Sequence, residues 1–186
     1  LDVSDSESVA ATLEHIQQHL GQPLILVNNA GITRDNLMLR MKDDEWFDVI
    51  NTNLNSLYRL SKAVLRGMTK ARWGRIINIG TNLFQNPVVP YHDYTAAKAA
   101  LLSMTRTLSH DLGPDQITVN MISGGLLRTT DASAATPEAV FDLIAASTPL
   151  RRYRCAACGF EARLHFWQCP GCQTWDSFPA RRVEEL

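Results

Sequence analysis

Hydrophobic residues along this chain follow two alternating patterns. Short, mostly apolar runs, which are typical of buried parallel strands, occur at residues 24–27, 75–80 and 117–122. Segments with an apolar residue every three or four positions predict helices at residues 4–20, 43–72, 94–112 and 137–147. This order of strands and helices predicts an α/β fold, in which a parallel sheet carries helices on both faces.

Two details of the predicted helices can be read from single residues. The first helix is expected to begin at Ser4, which forms a capping-box pattern with Glu7. The buried side of the long second helix is expected to consist of its apolar residues, Trp46, Phe47, Ile50, Leu54, Leu57, Leu60, Val64, Leu65 and Met68.

Polar residues stand at the carboxyl ends of the three predicted strands, at Asn28, Thr81 and Ser123. In parallel sheets ligands bind beyond these ends, so the three side chains are expected to line a single crevice. Tyr94 opens the helix that follows the second strand and is expected to join them.

Tyr94 and Lys98 lie four positions apart, on one face of a predicted helix. A nearby ammonium favours phenolate and is expected to lower the pKa of Tyr94, which suits proton exchange with a carbonyl or alcohol oxygen. Tyr58 and Lys62 have the same spacing but follow no strand end, so they are interpreted as a surface pair. Spacing alone therefore does not identify a site. The strand that precedes Tyr94 distinguishes the candidate site from the surface pair.

The composition is that of one ordinary soluble domain with a small addition: 186 residues, a net charge of −1 and 45% hydrophobic residues. No apolar run approaches the length of a membrane span, and no export leader opens the sequence, so a cytoplasmic location is expected. The near-zero net charge gives no electrostatic support for nucleic-acid binding.

All the cysteines lie in two Cys-x-x-Cys pairs near the C-terminus: Cys155, Cys158, Cys169 and Cys172. Four thiolates at this spacing can complete a tetrahedral shell for one zinc or iron ion. Four reduced free thiols are the alternative, and His165 is an alternative ligand. We therefore expect two domains, at residues 1–150 and 151–186, of which the second binds metal.

Residues 1–150 resemble the short-chain dehydrogenase/reductase family, especially its bacterial 3-oxoacyl-[acyl-carrier-protein] reductases. The resemblance rests on residues 27–36, on Thr52-Asn53-Leu54 and on the combination of Thr81, Tyr94 and Lys98. It implies an NAD- or NADP-dependent oxidoreductase acting on a ketone, a 3-oxoacyl thioester of fatty acid biosynthesis, or the matching alcohol. It also implies a homo-oligomer formed through the long helices.

The resemblance implies a role for each matching position. Tyr94 donates the proton, Lys98 holds the nicotinamide ribose and lowers the tyrosine pKa, and Thr81 hydrogen-bonds the substrate carbonyl. Asn53 holds a water that resupplies protons. The other implied cofactor contacts are Asp2 and Val3 at the adenine, Asn28, Asn29, Ala30 and Gly31 at its ribose, and Gly125 and Thr129 after the third strand.

The resemblance covers only part of the family's fold. Family members begin with a strand, a Gly-x-x-x-Gly-x-Gly turn and a helix that receives the pyrophosphate, and none of the ten glycines here forms that pattern. The expected fold is a partial doubly wound, Rossmann-like sheet that lacks the first two or three strands and the last strand, with bare backbone at its outer edges. Residues 1–80 and 81–151 resemble different branches of the family, which suggests a mosaic or fusion.

Residues 152–180 resemble the rubredoxin-type metal domain at the C-terminus of lipopolysaccharide assembly protein B. This implies a small rubredoxin-like zinc ribbon with a closed, structural site. Two functional hypotheses result. The chain is an oxidoreductase in which Tyr94 donates the proton, or it is a non-catalytic metal-binding interaction protein with an inert reductase segment.

Overall fold

The computed structural model describes residues 1–84, 87–125, 137–147, 153–154 and 161–162. The chain divides into two units, Leu1–Met121 and Ile122–Leu186. The first unit carries nearly all of the predicted reductase residues.

A three-stranded sheet forms at the predicted positions. Its strands are β1 (Ile25–Asn28), β2 (Gly74–Thr81) and β3 (Ile117–Gly124), in the order β1-β2-β3. β1 and β2 pair in parallel, which places Asn28 opposite Asn78. The predicted partial Rossmann-like sheet is therefore confirmed.

Strand β1 lies at an edge of the sheet, as the missing neighbour predicts. Ile25 and Val27 are 59% and 52% exposed, whereas Asn28 at the end of the strand is buried. The apolar run alone predicts a fully buried strand, and this is wrong for Ile25 and Val27, which alternate with Leu26 and Asn28 and therefore point to the other face of the sheet.

The described residues include five α-helices: α1 (Ser6–Leu20), α2 (Asp43–Ile50), α3 (Ser56–Ala71), α4 (His92–Leu112) and α5 (Glu138–Ser147). The first helix is capped by Asp5, not by Ser4, because the Asp5 carboxylate accepts the backbone N–H groups of Glu7 and Ser8. Ser4 instead hydrogen-bonds the carboxylate of Asp2.

The long helix predicted at residues 43–72 is interrupted. A π-helical turn, Asn51–Asn55, joins α2 to α3 and buries Asn53. The wider turn changes which residues face inward, because it rotates α2 relative to α3. Val49 is fully buried, whereas Phe47, which was expected in the core, is 65% exposed.

The core of the first unit lies between the sheet and helices α1, α3 and α4. Its buried members are apolar side chains from each of these elements and from β2 and β3, namely Val9, Leu13, Val64, Met68, Ile76, Leu112, Ile117 and Val119. Burial of these groups is the main force that holds the helices against the sheet. It also fixes where α4 begins relative to the end of β2.

The second unit contains α5 and a short antiparallel pair of strands, β4 (Tyr153–Arg154) and β5 (Glu161–Ala162). All four cysteines lie outside the described residues, so the predicted metal shell is not part of the described structure. None of the helices in the described part of the chain is long and apolar enough to span a membrane.

Candidate active site

Thr81 and Tyr94 meet at the carboxyl end of β2. Thr81 is the last residue of the strand and is buried, and its side chain lies close enough to Tyr94 to oppose the rise in the pKa of the Tyr94 hydroxyl. Tyr94 lies in the first turn of α4, where its backbone N–H donates a 2.7 Å hydrogen bond to the carboxylate of Asp93. The strand end and the helix start therefore bring the two predicted hydroxyl groups together.

Lys98 lies one turn further along α4 and is only 3% exposed. Its Nζ donates a 2.7 Å hydrogen bond to the Ile79 carbonyl and lies 5.7 Å from the centre of the Tyr94 ring. Burial lowers the pKa of Lys98 from 10.5 to about 8, because it disfavours the charged form. The structure thus unites the predicted group of Thr81, Tyr94 and Lys98.

Tyr58 and Lys62 form the surface pair that their context predicts. The Lys62 ammonium donates a 3.1 Å hydrogen bond to the Tyr58 hydroxyl, and Tyr58 is 53% exposed. The same four-residue spacing therefore occurs in a buried pair, Tyr94 and Lys98, and in an exposed pair, Tyr58 and Lys62. The exposed pair provides a matched control for the buried one.

The pKa of Tyr94 differs from the expected direction. Burial raises it above the ordinary value of 10.0, the hydrogen bond with Thr81 opposes this rise, and the charges of Tyr91 and Asp35 add to it. The predicted lowering by Lys98 is wrong for this structure, since the ammonium is bonded to the Ile79 carbonyl and carries its own desolvation cost.

Asn53 holds the loop after β1 against the π turn. Its Oδ1 accepts the Ile32 backbone N–H and its Nδ2 donates to the Ile32 carbonyl, both at 2.8 Å. A Cβ atom on Gly31 would lie 3.2 Å from Asn53 Oδ1 and 3.6 Å from Lys98 Nζ. Glycine therefore allows the backbone to approach both predicted site residues closely.

A pocket of about 180 Å³ opens beside this group. Six residues of the predicted site line it: Val3, Asn28, Asn29, Ala30, Asn53 and Lys98. Leu26, Leu57 and Leu101 supply much of its apolar wall. Asn28 also carries a buried acceptor, Oδ1, that has no hydrogen-bond partner among the described residues.

The remaining predicted cofactor contacts lie elsewhere or outside the described residues. The Asp2 carboxylate accepts hydrogen bonds from the backbone and hydroxyl of Ser4, which lower its pKa. Ser123 and Gly125 belong to the second unit, and Thr129 lies outside the described residues.

Sequence reasoning missed several polar residues around the site. Asn78 and Thr105 are fully buried and hydrogen-bonded to each other, and Asp93 is a fully buried carboxylate next to Tyr94. Burial, with a contribution from the charge of Asp93, raises the pKa of Asp35. An asparagine inside an otherwise apolar strand was the available signal for Asn78, since a buried amide needs partners.

Comparison with known proteins finds a different family in each of two parts of the chain. Residues 1–140 match the family model described as short chain dehydrogenase, and residues 153–179 match the one described as rubredoxin metal binding domain. The 3-oxoacyl-[acyl-carrier-protein] reductase FabG of Pseudomonas aeruginosa is 64% identical over 152 residues, which cover 82% of this chain and 61% of that protein.

Two further relatives are also named 3-oxoacyl-[acyl-carrier-protein] reductase FabG. The Vibrio harveyi protein is 50% identical over 129 residues and the Escherichia coli protein 48% identical over 129 residues. Each alignment covers 69% of this chain and 53% of the relative. The chain therefore spans between about half and three-fifths of the length of these relatives.

Proposed function

Since this chain belongs to the short-chain dehydrogenase family, we propose that it is part of an NAD(P)H-dependent oxidoreductase. Its proposed substrate is a ketone or a 3-oxoacyl thioester, or the matching alcohol in the reverse direction. The relatives named 3-oxoacyl-[acyl-carrier-protein] reductase support the thioester and a place in fatty acid biosynthesis. The observation that carries the proposal is the convergence of Thr81, Tyr94 and the buried Lys98 at the carboxyl end of β2.

Tyr94 is the proposed proton donor. Its raised pKa keeps the hydroxyl protonated at neutral pH, which is the form that can deliver a proton to a carbonyl oxygen. Thr81 offers a second hydroxyl at the same place, because its side chain lies beside that of Tyr94. A bound nicotinamide would supply or accept the hydride.

Lys98 is proposed to hold the cofactor. A lysine ammonium has three donor hydrogens, and the Ile79 carbonyl accepts one of them. The others are available to hydroxyl groups of a sugar, and Lys98 lines the pocket. Asn53 is proposed to support proton resupply through water, since its carboxamide is held at the same wall.

The pocket is proposed to enclose only one part of the dinucleotide. Its volume of about 180 Å³ is below the roughly 300 Å³ at the lower end of small-molecule sites. Val3, Asn28, Asn29 and Ala30 line it, which suits the adenosine half, and Asn53 and Lys98 extend it toward the reacting group.

The test uses the whole chain and two matched variants. Titration with NADPH, followed by its fluorescence, measures binding, and absence of binding at millimolar cofactor would defeat the oxidoreductase proposal. With a 3-oxoacyl thioester, Tyr94→Phe should lose turnover by about 100-fold or more, the usual contribution of a general acid. Tyr58→Phe, in the exposed pair, should retain it. Undiminished turnover of Tyr94→Phe would remove Tyr94 from the chemistry.

The match at residues 153–179 supports a second candidate function. Cys155, Cys158, Cys169 and Cys172 are proposed to bind one zinc or iron ion in a closed shell of four thiolates. In this alternative the chain is a metal-binding interaction protein whose reductase part is inert. Metal bound at full occupancy, together with no NADPH binding, would favour it.

The domain boundary at residue 150, homo-oligomerisation and a cytoplasmic location stay predictions.

A further inference from the structure

Two histidine rings lie against each other on the exposed side of helix α1. His15 and His19 are four positions apart, and both are exposed. Their ring centroids are 4.1 Å apart, and the ring planes are inclined by 30°. Side chains at this spacing lie one above the other on a helix, so the helix itself holds the two rings together. Neither residue lines the pocket described above.

The tautomer of the second ring follows from its hydrogen bond. His19 Nδ1 lies 2.8 Å from the backbone carbonyl oxygen of His15. A carbonyl oxygen can only accept, so Nδ1 of the neutral ring carries the hydrogen and Nε2 holds the lone pair. Histidines that bind metals in proteins usually donate their other ring N–H to a carbonyl or carboxylate in the same way. The Nε2 atom of His19 is therefore prepared as a metal ligand by the helix backbone.

The separation and the position of the rings suit one bound cation. An imidazole nitrogen lies about 2.0–2.1 Å from a zinc ion, so two nitrogens on one ion are at most about 4.2 Å apart. The ring centroids already lie at 4.1 Å, and exposed side chains rotate freely enough to bring two nitrogens to one ion. His19 also lies in the last turn of α1, where the partial negative charge of the helix end favours a cation.

We propose that His15 and His19 chelate one divalent cation of the late first-row transition metals, such as Ni²⁺, Cu²⁺ or Zn²⁺. Neutral imidazole is a preferred ligand of these metals. In the described part of the chain, no group of three or more histidine, cysteine, aspartate or glutamate side chains is placed to hold a metal ion, so water completes the shell of this two-histidine site. The site uses different residues from the proposed shell of four thiolates, and it does not depend on the proposed reductase function.

Three variants separate a chelate from a single ligand. His19→Ala leaves one imidazole of the pair. The matched control combines His19→Ala with Gln17→His, which restores two histidines two positions apart, where they do not face each other. His110→Ala is the second control, because His110 is an exposed histidine in the last turn of another helix, α4. Should His19→Ala lose helical circular dichroism, His15→Ala provides the same test.

Calorimetric titration of the whole chain with Ni²⁺ measures the chelate. The chain is first saturated with zinc and gel-filtered, so that the proposed thiolate shell is filled before Ni²⁺ is added. The unaltered chain and His110→Ala should bind one Ni²⁺ at least about tenfold more tightly than His19→Ala, because the second imidazole joins at a high effective concentration. Adding Gln17→His to His19→Ala should not recover the affinity. Equal affinity of the unaltered chain and His19→Ala, or full recovery in the double variant, would overturn the inference.

An NMR titration with the same ion locates the site. Ni²⁺ is paramagnetic and broadens the signals of nuclei close to it. The ring signals of His15 and His19 should broaden together, at Ni²⁺ concentrations that leave the ring signals of His110 unchanged. Broadening of all three rings at the same concentration would show independent single ligands and overturn the chelate. Neither measurement involves NADPH or turnover, so failure of the metal site and failure of the reductase proposal are distinguishable.

Discussion

The Lys98 ammonium donates a 2.7 Å hydrogen bond to the carbonyl of Ile79. This contact ties helix α4 to the end of strand β2 and holds the ammonium 5.7 Å from the centre of the Tyr94 ring. The exposed Lys62 instead reaches the hydroxyl of its own tyrosine at 3.1 Å. The buried lysine is therefore committed to the main chain and not to the Tyr94 hydroxyl.

The lowered pKa of Lys98 predicts how stability changes with pH. Its folded pKa is about 8 and its unfolded value 10.5, so between these values the unfolded chain binds more protons. The free energy of unfolding should therefore rise as pH rises through this window. The rise is at most roughly 3.5 kcal/mol, at about 1.4 kcal/mol per pKa unit. Above pH 10 the raised pKa of Tyr94 lowers the free energy of unfolding as pH rises, because the folded chain then binds more protons than the unfolded chain.

Denaturant unfolding of Lys98→Met at several pH values checks this prediction. The variant should lack the part of the rise between about pH 8 and 10 that Lys98 supplies. Lys62→Met, in the exposed pair, should behave as the unaltered chain. Equal pH dependence in Lys98→Met and the unaltered chain would contradict the buried, desolvated ammonium.

The hydrogen bond from Thr81 predicts a further change in the pKa of Tyr94. This bond favours the phenolate and opposes the effect of burial. Thr81→Val should therefore raise the pKa of Tyr94 further, and Thr81→Ser should leave it close to its present value. An NMR titration of the Tyr94 ring measures the difference, and a pKa that falls in Thr81→Val would show that the bond is absent.

Gly31→Ala should weaken cofactor binding. The added Cβ would lie 3.2 Å from Asn53 Oδ1, tight enough to displace a carboxamide that is bonded twice to Ile32. We expect roughly tenfold weaker binding, or about 1.4 kcal/mol, in NADPH titrations. Gly113→Ala, where the added atom meets nothing within 4 Å, is the control. Equal affinities for the two variants would place the cofactor away from Gly31.

Removal of one thiolate should disrupt the proposed metal shell. We expect about one equivalent of zinc plus iron per chain after gel filtration, and a clear loss in Cys155→Ser. His165→Ala should keep its metal if the four cysteines complete the shell. Metal content below half an equivalent in the unaltered chain would count against the site.

The sheet and the position of the site were predictable because they depend on local patterns. Apolar runs gave the three strands, and the polar residue after a strand located Thr81 correctly. The exposure of Ile25 and Val27 was not predictable from the run itself, since an apolar run looks the same whether one or both faces of its strand are covered. The difference depends on what packs on the face of the sheet to which these two side chains point.

The electrostatics of the site were harder to predict than its location. Spacing placed Tyr94 and Lys98 on one helix face, but the pKa of each depends on burial and on partners distant in sequence. The Ile79 carbonyl, which fixes the position of Lys98, lies 19 residues earlier in the chain. The buried hydrogen bond between Asn28 and Asn78 joins residues 50 positions apart, and the one between Asn78 and Thr105 joins residues 27 positions apart. No local pattern in the sequence could reveal either bond.

The π-helical turn at Asn51–Asn55 acts as an angular spacer. Val49, Asn53 and Leu57 are four residues apart and all buried. In an uninterrupted α-helix each step of four residues would drift by about 40°.

The deletion of one residue within the turn should restore the ordinary pitch and rotate α2 by about 100° relative to α3. Phe47 would then change its exposure, and fluorescence quenching of the neighbouring Trp46 would report the rotation. The placement of Asn53 in the pocket wall thus depends on the length of this turn as much as on the identity of the side chain.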